Sequence, residues 1–239
     1  MNKYKLLLFD LDGTLANTDE MVVQSFYALY KEFKPRVVRT REELYYFSGP
    51  PIRETVKTEF PDYDPKEVHQ AFSRISKDFY APCVTAYEGE LEVLLALKEK
   101  GYLLGVVTNK GAPLTKYTFE ICHIDGLFDV VISADDVNVP KPDPEGIYKA
   151  MDKVGIKNKG DVLYIGDNDI DYFTGHNAGV DTMLVSWGPR EIKCLDKANY
   201  VATSYNEVTI SGIISTSALL SQLKNSTAKS GPGILVKPG

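Results

Sequence analysis

Cysteine is scarce in this chain. Cys83, Cys122 and Cys194 are the only three in 239 residues, and no two form a CxxC pair. An odd, widely spaced set offers neither a disulfide framework nor a zinc site, and it suits a reducing compartment. Histidine is as thin: His69, His123 and His176 lack metal-ligand spacing. A basic excess is missing too. The chain has 27 Lys and Arg against 33 Asp and Glu, a net charge of −6. That balance disfavours the basic face of a nucleic-acid binder. No apolar run approaches the ~20 residues of a membrane span. The early run Leu6-Leu7-Leu8-Phe9 stops at Asp10, too soon for a secretory signal core. The expectation is a cytoplasmic protein that takes neither nucleic acid nor membrane as partner. What is present is ordinary globular material, 44% hydrophobic and 25% charged, enough for one large domain or two small ones.

Five apolar runs have strand length: Tyr4 to Phe9, Tyr102 to Val107, Phe128 to Ile132, Val162 to Ile165 and Val180 to Val185. Each reads as buried on both faces, as parallel strands are. Helical spacing fills the gaps. Leu91, Leu94 and Leu95 precede a basic turn and a Gly101 stop. Leu114, Tyr117 and Ile121 form a second set, and Ile147, Met151 and Val154 a third. Asp143 and Pro144 are placed to start that last helix. Alternating strand and helix predicts a parallel α/β sheet. Residues 16–83 differ. Val22, Phe26, Leu29 and Phe33 step by four, three and four, and so do Val68, Phe72, Ile75 and Phe79. No strand lies between these amphipathic patterns, which predicts an all-helical insertion. Breaks are expected at Pro35, Gly49-Pro50-Pro51, Pro61 and Pro82. Residues 224–239, rich in Lys, Ser, Gly and Pro, read as a loose tail. The expected division is 1–15 with 84–223 as core and 16–83 as insertion.

Ligands of an open parallel sheet bind beyond the carboxyl ends of its strands. Four polar clusters fall there: Asp10 with Asp12, Thr108 with Asn109, Lys141 in a proline-flanked loop, and Gly166-Asp167 followed by Asp171. Singly, each fits a turn or a helix cap. Together, always after a buried strand, they predict a site. Asp10, Asp12 and Asp167 gathered in one place would repel one another. A hard divalent cation, Mg²⁺, answers that repulsion with oxygen ligands and a substrate phosphate. An aspartate beside it can accept a phosphoryl group, while Thr108, backbone N–H groups and Lys141 hold the phosphoryl oxygens.

Asp10-Leu11-Asp12-Gly13-Thr14-Leu15, Thr108-Asn109, Lys141-Pro142-Asp143-Pro144 and Gly166-Asp167 with Asp171 resemble the four motifs of the haloacid dehalogenase-like hydrolase superfamily. The resemblance runs from residue 4 to about 203. It implies a Rossmann-like parallel-sheet core with a small helical cap inserted after the first strand. It also implies roles. Asp10 matches the nucleophile that becomes phosphorylated, and Asp12 the general acid and base. Thr108, with Asn109 beside it, matches the phosphate-binding residue. Lys141 matches the lysine that offsets charge. Asp167 matches the metal-binding carboxylate and Asp171 the second acid of that motif. The family's metal also takes the carbonyl oxygen at the Asp12 position. A dehalogenase needs no acid there, so Asp12 favours phosphate chemistry. Asn17-Thr18 stands where relatives often carry Asp-Ser or Asp-Thr; Asn still caps a helix.

The segment Phe47 to Thr55 resembles the cap specificity loop of phosphoglycolate phosphatases and related pyrophosphatases, with Gly49 for close backbone approach and Arg53 to grip a carboxylate or second phosphate. Lys141-Pro142-Asp143-Pro144-Glu145, together with Val185-Ser186-Trp187-Gly188, resembles the same branch. The resemblance implies an Mg²⁺-dependent phosphatase acting on a small phosphorylated metabolite, as monomer or homodimer. A β-phosphoglucomutase-like isomerase and a non-catalytic metabolite-binding protein are the alternatives. A mutase would release no net phosphate, and a binder would not need Asp10 and Asp12 together.

Overall fold

The computed structural model describes residues 3–48 and 50–208. Gly49, assigned above to substrate specificity, and the tail at 224–239 lie outside the described residues.

Eight strands and nine α-helices are described. Six strands form one sheet, β1 (Leu6–Phe9), β4 (Leu103–Val107), β5 (Val130–Ile132), β6 (Val162–Gly166), β7 (Asp181–Val185) and β8 (Tyr200–Ala202). Their order is β5-β4-β1-β6-β7-β8. Every pairing is parallel, so β1, β4, β5 and β6 all end at one edge. Residues 10, 108, 133 and 167 follow directly at that edge. The sixth strand, β8, is three residues long, Tyr200–Ala202, bounded by Asn199 and Thr203. It becomes a strand by pairing Tyr200 with Met183 and Ala202 with Val185.

The sheet is covered on both sides, as continuous apolar strands require. Leu7 and Phe9 face one apolar cluster and Leu6 and Leu8 the other. The first cluster continues into the helical insertion, where Phe26 and Phe72 pack with ring centroids 5.2 Å apart. That insertion holds α1 (Asp19–Phe33), α2 (Arg41–Tyr45), α3 (Ile52–Glu59) and α4 (Pro65–Cys83). On α1, Val22, Phe26 and Leu29 are buried; on α4, Val68, Phe72 and Ile75 are. Asp64 starts α4 by accepting a hydrogen bond from the Lys66 N–H at 2.9 Å. Pro82 does not break the chain as its sequence position suggests. It sits in the last turn of α4, one residue before the helix ends at Cys83. The chain enters and leaves the insertion through a two-stranded antiparallel pair, β2 (Ala16–Asn17) with β3 (Thr85–Ala86).

The remaining helices are α5 (Glu90–Glu99), α6 (Ala112–Cys122), α7 (Glu145–Lys153), α8 (Asp169–Ala178) and α9 (Tyr205–Val208). The N-cap of α7 is Pro144 rather than Asp143; Asp143, one residue earlier, still accepts from the Glu145 N–H at 2.9 Å. On α6 the buried stripe is Thr115, Thr118, Phe119 and Cys122, one position round from the expected one. Leu114 is exposed, and Tyr117 is spent on the ring of Tyr80 from α4, 5.3 Å away. Among the described residues, no helix is long and apolar enough to cross a membrane.

Candidate active site

The site starts at the end of β1. The Asp10 N–H donates to the Ile165 carbonyl at 2.8 Å, extending the ladder by one residue. Its carboxylate therefore stands at the sheet edge and is buried. The chain then turns sharply: Leu15 and Ala16 both donate to the Leu11 carbonyl at 2.9 Å. Gly13 has φ +84°, and a Cβ there would lie 2.2 Å from the Asp167 carboxylate. Only glycine permits that approach. Thr14 ties the turn to β6 by donating to Asp167 Oδ1 at 3.1 Å.

Lys141 is the electrostatic centre. Its Nζ lies 2.7 Å from Asp10 Oδ1 and 2.7 Å from Asp171 Oδ1, and 3.1 Å from the Tyr164 hydroxyl. All four side chains are buried. The proline-flanked loop is held by Asn109: the Lys141 N–H donates to Asn109 Oδ1 at 2.9 Å, and Asn109 Nδ2 donates to the Lys141 carbonyl at 3.4 Å. Asn109 thus fixes the lysine's backbone. Thr108 is buried, with its hydroxyl accepting from the Lys110 N–H at 3.2 Å.

Asp10, Asp167 and Asp171 bring carboxylate oxygens within 4.8 Å of one another. Asp171 joins this group where the sequence pattern suggests the carboxylate of Asp12. Asp12 instead turns to Lys110, whose Nζ lies 2.5 Å from Asp12 Oδ1, beneath the ring of Tyr80 at 5.4 Å. Asp171 is also fixed by its own helix, accepting from the Asn168 N–H at 3.1 Å in a capping box. Asp135, by contrast, serves as a cap for α6, accepting from the Ala112 N–H at 2.7 Å.

Gathering acids in a dry place costs free energy in the charged form. Burial pushes Asp10 up to about 6; Lys141 opposes this, and the charges of Asp171 and Asp12 add to it. Burial likewise pushes Asp167 up to about 6, against the pull of Arg190. Asp171 is raised by burial despite Lys141. Three buried oxygen donors that resist ionisation in one spot fit a hard divalent cation such as Mg²⁺. A guanidinium already answers the same demand: Arg190 Nη2 is bonded to Asp167 Oδ2. Arg190 also reaches the insertion, with Nη1 2.9 Å from the Ser48 carbonyl and 3.3 Å from Asp19 Oδ1. Arg53 is exposed in the first turn of α3, where its charge acts on His69.

Residues 7–185 match the family described as haloacid dehalogenase-like hydrolase. The chain belongs to that family. Among curated relatives, pyrophosphatase PpaX of Bacillus cereus (strain AH820) is 35% identical over 185 residues, covering 77% of this chain and 84% of the relative. Among solved structures, a haloacid dehalogenase-like hydrolase of Bacteroides fragilis superposes with a TM-score of 0.79 at 24% identity, over 86% of this chain and all of that one. A predicted phosphoglycolate phosphatase from Haemophilus somnus 129pt superposes with a TM-score of 0.74 at 23% identity, over 87% and 97%. These two share the fold. The haloacid dehalogenase-like core with its helical cap is therefore the architecture of this chain.

Four residues of this hydrolase's site have no counterpart in the sequence argument: Asp19, Lys110, Tyr164 and Arg190. Lys110 directly follows Thr108-Asn109, and Arg190 follows the Trp187-Gly188 pair, so adjacency was the available signal. Tyr164 reads only as strand core, and nothing local marks its hydroxyl.

Proposed function

We propose that this hydrolase is a phosphatase that removes a phosphoryl group from a small phosphorylated metabolite, pyrophosphate or a phosphoglycolate-like acid. The observation that carries the reading is the buried Asp10 carboxylate, held 2.7 Å from Lys141 at the sheet edge with Asp167 and Asp171 beside it. The similarity to pyrophosphatase PpaX supports it.

Asp10 attacks phosphorus, forming an oxygen–phosphorus bond as the bond to the leaving oxygen breaks. Asp12 gives its proton to that oxygen. In the second half Asp12 takes a proton from water, and the water oxygen displaces Asp10 from phosphorus, releasing phosphate. Lys141 keeps Asp10 oriented and balances charge on the transferred group, and Thr108 binds phosphoryl oxygens. Mg²⁺ bound by Asp10 and Asp167, with the carbonyl of Asp12 as the family pattern implies, supplies positive charge where the anionic substrate meets the acids. Asn109 positions the Lys141 loop. Arg53 and, on the resemblance alone, Gly49 are the residues proposed to set specificity for the leaving group, and Asp171 anchors Lys141.

Phosphate release is measured over a panel of small phosphorylated metabolites, first with Mg²⁺ and then with chelator. Release is expected with the ion, lost on chelation and lost in Asp10→Asn. Comparable turnover in Asp10→Asn would remove Asp10 as nucleophile. Interconversion of sugar phosphates without net phosphate would favour the mutase alternative.

A further inference from the structure

Eight buried side-chain polar atoms lack a hydrogen-bond partner among the described residues, and five of them belong to Thr18, Asp19, Ser48, Tyr87 and Arg190. These are not scattered. Arg190 touches the Ser48 carbonyl and Asp19, and Thr18 precedes Asp19. Tyr87 lies within electrostatic reach of Asp19, Asp167 and Arg190, and burial keeps its hydroxyl protonated. Unsatisfied buried donors are rare in folded proteins and call for an explanation. Arg190, whose Nε is unpaired, is bonded to the acid that follows β6, and the residues grouped around it, Ser48, Tyr87 and Thr18, carry unpaired hydroxyls. Asp19 balances the arginine's charge.

The arginine is also built in place. Trp187, three residues earlier, donates from Nε1 to the Gly13 carbonyl at 3.0 Å and stacks on Tyr205 at 4.5 Å. Tyr205 donates to the Thr14 carbonyl at 2.6 Å. The loop carrying Arg190 is therefore pinned to the turn that presents the nucleophile. A guanidinium is suited to two oxygens of one anion. A cation among the acids competes with Arg190 for Asp167, which leaves that fork to an incoming group.

We propose that Arg190, with the hydroxyls of Ser48 and Tyr87, forms the subsite for a second oxyanion on the leaving group of the substrate. This deepens the phosphatase reading and rests on it. The shared chemistry is a dianionic or carboxylate oxygen cluster one or two bonds beyond the scissile oxygen. The second phosphate of pyrophosphate and the carboxylate of a phosphoglycolate-like acid both supply it. A monoester with a neutral leaving group does not.

Binding of non-hydrolysable probes tests this without turnover. Isothermal titration in saturating Mg²⁺ compares methylenebisphosphonate, 3-phosphonopropionate and methylphosphonate on the full chain. At least one of the first two is expected to bind tenfold or more tightly than methylphosphonate. In Arg190→Gln that ratio should fall below threefold. The double variant Ser48→Ala with Tyr87→Phe removes only atoms that lack partners, so it retains the fold and decides the matter if Arg190→Gln does not fold; its ratio should fall about fivefold. A wild-type ratio near one, or a ratio that survives these changes, overturns the subsite. Preference for the bisphosphonate marks an anhydride substrate, and preference for the phosphonopropionate marks a carboxylate. If the ratio behaves as expected while no metabolite yields phosphate, the phosphatase reading fails and the subsite stands. If phosphate is released with a ratio near one, the subsite alone fails.

Discussion

Lys141 shows how much one side chain holds here. It is the cation between two buried carboxylates, Asp10 and Asp171. Removing one partner of a buried ionic group leaves the others uncompensated, a loss of about 3 kcal/mol or more. Lys141→Met should lower the denaturation midpoint by that amount and abolish turnover. A variant of full stability would mean that the two acids share a proton instead. Glu90 makes the opposite case. Its carboxyl is fully buried with no partner among the described residues, and burial pushes it up to about 8. The folded form keeps that proton while the unfolded chain releases it near the usual carboxylate range. Folding thus binds a proton between those limits, and this contribution is whole below the lower limit and gone above the upper one. Wild-type stability should fall as pH rises through this window, by up to about 5 kcal/mol. Glu90→Gln should lack that slope. Parallel pH–stability curves for the two proteins would contradict the assignment. Thr108 and Asp10 were legible as site residues because a polar group directly after a buried strand is conspicuous. Tyr164 was not, because a strand tyrosine reads as packing until its hydroxyl meets Lys141.

At the scale of elements, the sheet edge depends on close strand packing. Gly105 in β4 sits between β1 and β5, and a Cβ there would lie 2.6 Å from Leu8 and 2.6 Å from Val130. Gly105→Ala should destabilise by about 1–3 kcal/mol through overpacking, read as a lower urea midpoint with an unchanged slope. No change in midpoint would mean that Leu8 and Val130 move freely. The strands β1, β4, β5, β6 and β7 were legible from their apolar runs, and α1 and α4 from their spacing. The β8 strand was not: its short stretch is bounded by Asn199 and Thr203, and it takes strand form by pairing with β7. Nor was the buried face of α6: two adjacent stripes each carry helical spacing, and contact with Phe128 and Tyr80 chooses between them.

For the whole molecule, the acid cluster exists only when β1, β6 and α8 are folded together. An unfolded chain cannot present Asp10 and Asp167 to one ion, so a bound cation stabilises the native state by mass action. Mg²⁺ should raise the thermal midpoint, chelator should reverse the rise, and Asp167→Asn should remove most of it. An equal rise in that variant would place the ion elsewhere.

Sequence alone determined five of the sheet's strands and the helices between them, the helical insertion, and which acids follow which strands. Those follow from periodicity and burial, which are local properties of the chain. Tertiary structure alone decided the partners. Residues 10 and 171 share a lysine from residue 141, Asp12 turns to Lys110, and Arg190 crosses to Asp167, Asp19 and Ser48. Charges choose partners by distance in space, and distance between residues far apart in sequence is set only when the parallel strands come into register.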